Sequence, residues 1–473
     1  MNPLEQKEQA WRGLPVLGSA GRVCLLTLGL FLVAATSVLA APQDHAPNGG
    51  YGYFDFPTCV RYALVHSEEF LSHRLEIQIR SADLKDAHSE VLPSLSLLSR
   101  FYLTRTQGGP YGYQSPFSYQ IITDSWDPFL ALFKIKSRKI LVDIARIAHT
   151  EKISKNISRI AKLFLRIHSL DRAVGARNEI VTVRRKLVDF AATKQKQHTT
   201  FGLKVDEWSN EVKEDEVKVR DLLSEKEQKL GELKLLLGYH PDFELPLDTR
   251  DAVNQVLFGF NGQFVTFGDV QGNNLTLKKL AKEEQLQSNE ISGAYVALLP
   301  KPVVTFENVE NQVDRTNGVN LSIGVNYPIW DGFRRVRNVK RQKMIGEQKK
   351  IKRDLESQEF YGKFQHLRDL IQASGAKQSV FSEKGRIAEL LEQKYFMCFK
   401  SGMPCPDEWD GRGPLRDNGS LSQDPYVNYL KSRINKMEAN LEAMRIQEER
   451  VNALIDLATI AGGLERYNAR IRY

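Results

Sequence analysis

Apolar and polar positions follow two periods along this chain. Over long stretches the apolar residues recur at every third and fourth position. One such series is Ile153, Ile157, Ile160, Phe164 and Ile167. A second is Val205, Trp208, Val212, Val219 and Leu222, with Asp215 standing in the seam. A third is Val427, Leu430, Ile434, Met437, Leu441, Met444, Val451 and Ile455, interrupted only by Glu448. Sustained stripes of this kind bury themselves against other helices rather than a sheet. Residues 130–200 contain no proline. At 1.5 Å per residue, about 60 helical residues reach on the order of 90 Å, which is a rod.

Other stretches alternate with a period of two. Leu321, Ile323, Val325, Tyr327 and Ile329 alternate with Asn320, Ser322, Gly324, Asn326 and Pro328. Leu95, Leu97, Phe101 and Leu103 alternate with Ser94, Ser96, Arg100 and Thr104. Less regular strands are read near 117–126 and 302–313. Strands of about 10 residues suit a transmembrane barrel. A soluble, half-buried sheet shows the same alternation.

The plan is written twice. Leu92-Pro93 aligns with Leu299-Pro300, and Trp126-Asp127-Pro128-Phe129 with Trp330-Asp331-Gly332-Phe333. Each copy has a helix (58–91 and 275–298) ended by Leu-Pro, because the residue before proline leaves the α region. Two strands follow, joined by a turn at Gly108–Gly112 in the first copy and at Asn317-Gly318 in the second. A long helical hairpin comes next, broken at 201–204 and 399–403. The expected organisation is a leader at 1–40, a first repeat at 41–238 with its strand hairpin at 93–127 and tip near 202, and a linker at 239–272. A second repeat follows at 273–473, with its strand hairpin at 300–331 and a Pro/Gly/Asp-rich insert at the tip, 402–424.

Residues 1–22 are polar and carry Lys7, Arg12 and Arg22; the apolar run 23–35 ends in Ser37-Val38-Leu39-Ala40-Ala41. This is the pattern of a cleaved secretory signal peptide, and the run is shorter than the ~20 residues of a spanning helix. An exported chain meets an oxidising compartment. Of its 4 Cys, Cys398 and Cys405 are placed to close a small loop disulfide, and Cys59 is left unpaired.

Each repeat supplies one hairpin, so the protomer has four strands. A sheet in lipid must close, and the smallest closed membrane barrels have about 8 strands. If the strands span a membrane, several subunits share one barrel, and the helical hairpins continue its wall into the aqueous phase.

Leu-Pro after a helix, the alternating strand, Tyr-Pro-Ile-Trp-Asp-Gly-Phe-Arg-Arg at 327–335 and Leu235-Leu236-Leu237-Gly238 closing the first repeat resemble the TolC family of bacterial outer-membrane efflux proteins. Trp330 and Phe333 depart from that family's Pro-x-Phe/Leu-Asp-Gly-Gly-Arg pattern. The resemblance covers roughly 57–462. It implies a mostly helical, duplicated chain that trimerises into a shared β-barrel continued by a long periplasmic α-barrel. It also implies a periplasmic adaptor (a membrane fusion protein), an inner-membrane pump and outer-membrane lipid as partners, in efflux or type I secretion. The family's tip motif falls on Gly202 and Leu203, beside Phe201, and on Gly402, beside Met403. The insert after Gly402 puts docking at that second tip in question.

Composition changes this picture little. The 473 residues are 26% charged with a net charge of +8, too modest and too spread to argue for nucleic acid. Residues 334–353 are strongly basic and read as a solvated helix face or an attraction to anionic lipid. Asp206 and Glu207 after the first tip read as surface charge or as an acidic gate. No His-Glu-x-x-His, Walker loop or nucleophile elbow occurs, so no enzyme, cofactor or metal is expected. The alternative to a conduit is a soluble periplasmic coiled-coil adaptor or scaffold.

Overall fold

Asp55 opens the first described helix, α1 (Phe56–His66): its carboxylate accepts the Thr58 N–H at 2.9 Å, with proline in the first turn, the usual N-cap arrangement. The structure, a computed structural model, describes residues 53–92, 96–100, 118–122, 127–195, 202–240, 242, 244–259, 266–311, 316–327, 330–402 and 424–462. The leader, the Gly108–Gly112 turn and most of the insert lie outside these residues. Ser67 adopts extended backbone (ψ 122°) and separates α1 from α2 (Glu68–Ser89). The sequence reading of one helix over 58–91 is thus corrected: periodicity persists across a single extended residue, but the hydrogen-bond ladder does not.

The first repeat continues with β1 (Ser96–Arg100), β2 (Ser118–Ile122), α3 (Pro128–Gln195) and α4 (Gly202–Leu237). Short helices α5 (Ala252–Gly259) and α6 (Phe267–Asn273) lie in the linker. The second repeat comprises α7 (Leu275–Val296), β3 (Lys301–Asn311), β4 (Thr316–Asn326), α8 (Arg334–Ser401) and α9 (Pro425–Ile460). The lengths repeat as well as the order: α2 and α7 have 22 residues, α3 and α8 have 68, and α4 and α9 have 36.

The four strands make one antiparallel sheet in the order β1-β2-β3-β4. Asn317 and Gly318 pair with Glu310 and Val309 inside the β3–β4 ladder, so they do not form the turn. An Asn-Gly pair is a local turn signal. Here the ladder runs on to Thr316↔Asn311.

Below the sheet, α3 is the central rod. Its Ile157, Ile160, Phe164 and Ile167 pack with Phe56, Leu233, Leu237, Val451 and Ile455 in the main core. Further along, Ile180, Val183 and Leu187 meet Trp208 of α4 and Val427, Leu430 and Ile434 of α9. The polar residues interrupting the apolar seams are both answered by arginines of α3. Asp215, 1% exposed, has Arg184 Nε at 2.9 Å from Oδ2, off line for a hydrogen bond, and Arg177 at 3.4 Å. Glu448 accepts from Arg166 at 3.2 Å, and Arg166 also holds Glu225 at 2.7 Å. Charges at such depth persist only when paired. The linker is stitched to the end of the chain: Asn274 caps α7 through Leu277 N–H at 2.9 Å and donates to the Ile460 carbonyl at 2.9 Å. Gly462 (φ +68°) lies so close to Asn273 that an added Cβ would stand 2.5 Å from its carbonyl oxygen, so only glycine fits.

Two outcomes are expected. Asp215→Ala leaves Arg184 and Arg177 without their buried partner and lowers unfolding stability by about 3 kcal/mol; chemical denaturation followed by helical circular dichroism checks this, and a change within ~0.5 kcal/mol contradicts the pairing. Burial holds His149 below its ordinary pKa, aided by His73 and Arg74, and burial likewise lowers His168. The folded state therefore resists protonation. Its stability is fully present above the unfolded histidine value of ~6.5 and falls as pH drops below it. Denaturation midpoints at pH 7.5 and 5.5 should differ less in a His149→Gln/His168→Gln variant than in the parent; equal pH dependence excludes this source.

Candidate functional site

Strand order and helix order coincide. Beside the sheet, α2 packs on α3, α3 on α7 and α7 on α8; each is joined in sequence to the strand at the same place in the row. Further from the sheet the row becomes α4, α3, α9 and α8. The described residues thus form a four-wide ribbon. One long edge runs through β1, α2 and α4, the other through β4 and α8.

Among the described residues neither edge strand pairs on its outer side. On β4, Ile323 and Val325 are 77% and 70% exposed. The helical edges are apolar too. On α2, Leu71, Leu75 and Ile79 are exposed at a spacing of four; on α8, Met344, Ile351 and Leu355 are exposed at spacings of seven and four. Both spacings belong to a helix seam.

Ion pairs set the heights of the helices along the row. Glu69 and Asp83 of α2 face Lys152 and Arg138 of α3. Asp143 of α3 faces Lys282 of α7 at 3.3 Å, and Glu284 of α7 faces Arg353 of α8. Chained together, these pairs place Arg353 level with the stretch around Ile79. The apolar positions Ile351, Leu355 and Tyr361 of one edge therefore stand within about one helical turn of the heights of Ile79, Leu75 and Leu71 of the other.

The junction between strand and helix is set by the repeated aspartates. Asp127 accepts Leu130 N–H at 2.9 Å and lies 3.6 Å from Lys301. Asp331 accepts Arg335 N–H at 3.2 Å. Gly332 and Phe333 both take left-handed backbone (φ 62° and 61°), which turns β4 into α8. Trp330, 75% exposed, packs edge-on to Phe333 at 5.2 Å. Pro300 directly precedes β3, while Pro93 and Trp126 lie outside the described residues.

At the far end, Gly202 is the first residue of α4. Leu203 is 83% exposed. Gly402 (φ +68°) caps α8 and donates to the Phe399 carbonyl at 3.3 Å. Phe201 and Met403 are outside the described residues. Asp206 and Glu207 are exposed, and Glu207 pairs with Lys204 at 2.6 Å. Cys398 is disulfide-bonded to a partner outside the described residues, where Cys405 also lies. Cys59 is a free, buried thiol whose pKa burial pushes up to about 12. Sequence reading missed an aromatic clasp beside this tip: Phe399 lies 4.9 Å from Tyr426, Phe396 lies 5.4 Å from Tyr429, and Phe190 of α3 lies 5.2 Å from Tyr426. The helix-spaced pairs 396/399 and 426/429 were the available signal.

Among the described residues no helix is long and apolar enough to cross a membrane, and no three His, Cys, Asp or Glu side chains are grouped to hold a metal ion.

No family model matches the chain, and no curated protein matches it. Solved structures do. A membrane protein from Pseudomonas aeruginosa superimposes with a TM-score of 0.67 at 12% identity, over 86% of this chain and 90% of that one. The outer-membrane channel OprN gives 0.66 at 9% identity, over 86% and 90%. The open state of the Neisseria gonorrhoeae MtrE outer membrane channel gives 0.66 at 12%, over 86% and 88%. At such identities the likeness establishes architecture, and this chain has the fold of those outer-membrane channels.

Proposed function

We propose that the protein is a passive exit duct, formed by three copies, that crosses the outer membrane through its strands and extends through the periplasm through its helices. The single observation that carries this reading is the ribbon with two open edges. Its strand edges lack partners, and its helical edges carry apolar seams at matching heights. Such a ribbon is completed by its own kind: β4 and α8 of one copy against β1 and α2 of the next.

The lumen requires more than two copies, and three is the smallest number that meets this. Two copies give eight strands, a barrel whose interior side chains just fill it. Three copies give twelve and leave a passage. Trp330 and Phe333, exposed where β4 ends, suit the aromatic girdle at a membrane interface. The ribbon has no motor or catalytic constellation among its described residues, and its structural neighbours are channel proteins, so a partner supplies the energy. A periplasmic adaptor and an inner-membrane pump, in efflux or type I secretion, would join at the tip residues Phe201, Gly202, Leu203, Gly402 and Met403. Asp206 and Glu207 suit an ionic gate there, and a Cys398–Cys405 bond would pin the base of the insert.

Purified in detergent, the full chain should run as a heat-sensitive trimer and conduct ions in planar bilayers. Leu75→Asp with Leu355→Asp should convert the trimer to monomer. A detergent-independent, non-conducting monomer would instead favour the soluble adaptor reading.

A further inference from the structure

Residues 334–353 at the start of α8 hold ten lysines and arginines and one carboxylate, Glu347. The faces of α8 are separable at 100° per residue. Gly346 faces α7: a Cβ there would lie 3.2 Å from Ile291 and 3.6 Å from Gln287; Arg353, on the same side, reaches Glu284. Met344, Ile351 and Leu355 point the opposite way, to the open edge. Two faces remain. Lys343 lies on one, 5.3 Å over the Tyr295 ring. Arg334 and Arg341 lie towards the other, beside the open edge, while Arg337, seven residues before Met344, stands in the open-edge stripe itself.

These three arginines line a groove of about 750 Å³ with Ala294 and Ala297 of α7. The groove adjoins a cavity of about 510 Å³, sharing Ala294, Ala297 and Asn338 with it. That cavity takes walls from all four helices of the row: Ala87 of α2, Phe133 of α3, Gly293 of α7 and Asn338 of α8. A cavity that touches every member of a row lies on its concave side. Arg334 and Arg341, turned towards the side of Asn338, therefore reach inward, whereas Lys343 does not.

They are also uncompensated. Arg334, Arg337 and Arg341 are exposed and make no ion pair with another described residue. Asp331, in the same groove, is engaged by Arg335; in the adjoining cavity Glu90 is engaged by Lys134, and Glu290 is the one carboxylate lining it that no described cation pairs. The wall residues opposite are small, so nothing on α7 covers the guanidinium groups.

We propose that this level of the duct is an anion filter, and that the molecules it passes carry carboxylate, sulfonate or phosphate groups. The inference rests on the conduit reading. Arg334 and Arg341 from each of three copies converge just below the strands, where the wall passes from sheet to helix, with Arg337 beside the joint between copies. Guanidinium stays charged at every physiological pH. A ring of like charges in a low-dielectric wall concentrates counter-ions and repels co-ions.

The test is the reversal potential of the full chain in planar bilayers under a potassium chloride gradient, at ionic strength near 0.1 M where the screening length is about 10 Å. The parent should pass chloride several-fold better than potassium. Arg334→Gln/Arg337→Gln/Arg341→Gln should lower that preference, and the corresponding triple glutamate variant should invert it. Lys343→Glu, on the opposite face, should leave it as it was. A conducting parent that prefers potassium overturns the inference, as does a conducting triple variant with an unchanged reversal potential. A parent that forms trimers but never conducts overturns the conduit reading itself, and the filter with it.

Discussion

A strand has two rows of backbone donors and acceptors, and in hydrocarbon each must find a partner. The constraint is severe because water, which satisfies exposed edges in soluble proteins, is absent there. Among the described residues, four strands in one open sheet leave β1 and β4 each with a free row. The proposed closure by neighbouring copies answers this requirement at the sheet. The same closure gives the apolar seams of α2 and α8 something to bury against. One requirement thus organises both the strand and the helix halves of the wall.

The ribbon must be stiff for its edges to meet, and its stiffness comes from α3. This helix touches α2 and α7 near the sheet, and α4 and α9 further away. Its arginines reach across to the carboxylates that interrupt the neighbouring seams, Asp215 and Glu448. Purely apolar seams tolerate sliding. A buried charge that must meet one particular arginine does not, and such pairs are a recognised way of setting register. We read the two interruptions as the pins that hold the helices at the heights the edges need.

Much of this was legible in the sequence. The heptad positions Ile157, Ile160, Phe164, Ile167, Trp208, Val427, Leu430 and Ile434 are buried, because a stripe on a long helix has to face another helix. The strands were found from alternation to within a few residues. Three features were hidden for physical reasons. The Asn317-Gly318 signal is local, whereas the ladder that absorbed it depends on a partner strand. Asp215 and Glu448 stood out, but their arginines lie 38 and 282 positions away. Periodicity also does not say whose surface a stripe meets: Leu71, Leu75, Ile351 and Leu355 have the spacing of core residues and are exposed in a single copy. At the far tip, Gly402 was found because its left-handed backbone favours glycine, while the aromatic clasp beside it requires three helices to assemble.

The most direct measurement is disulfide cross-linking between opposite edges, with Leu75→Cys on α2 and Leu355→Cys on α8. The two positions lie within about one helical turn of the same height but on opposite sides of the ribbon, so a bond between them joins different copies. Cys59 is buried and Cys398 is already bonded, so neither competes. Under mild oxidation the double variant should yield covalent dimers and trimers on a non-reducing gel, reverting to one band with reductant, while each single variant stays monomeric. A double variant that remains monomeric under conditions where the native oligomer persists would contradict closure through these edges.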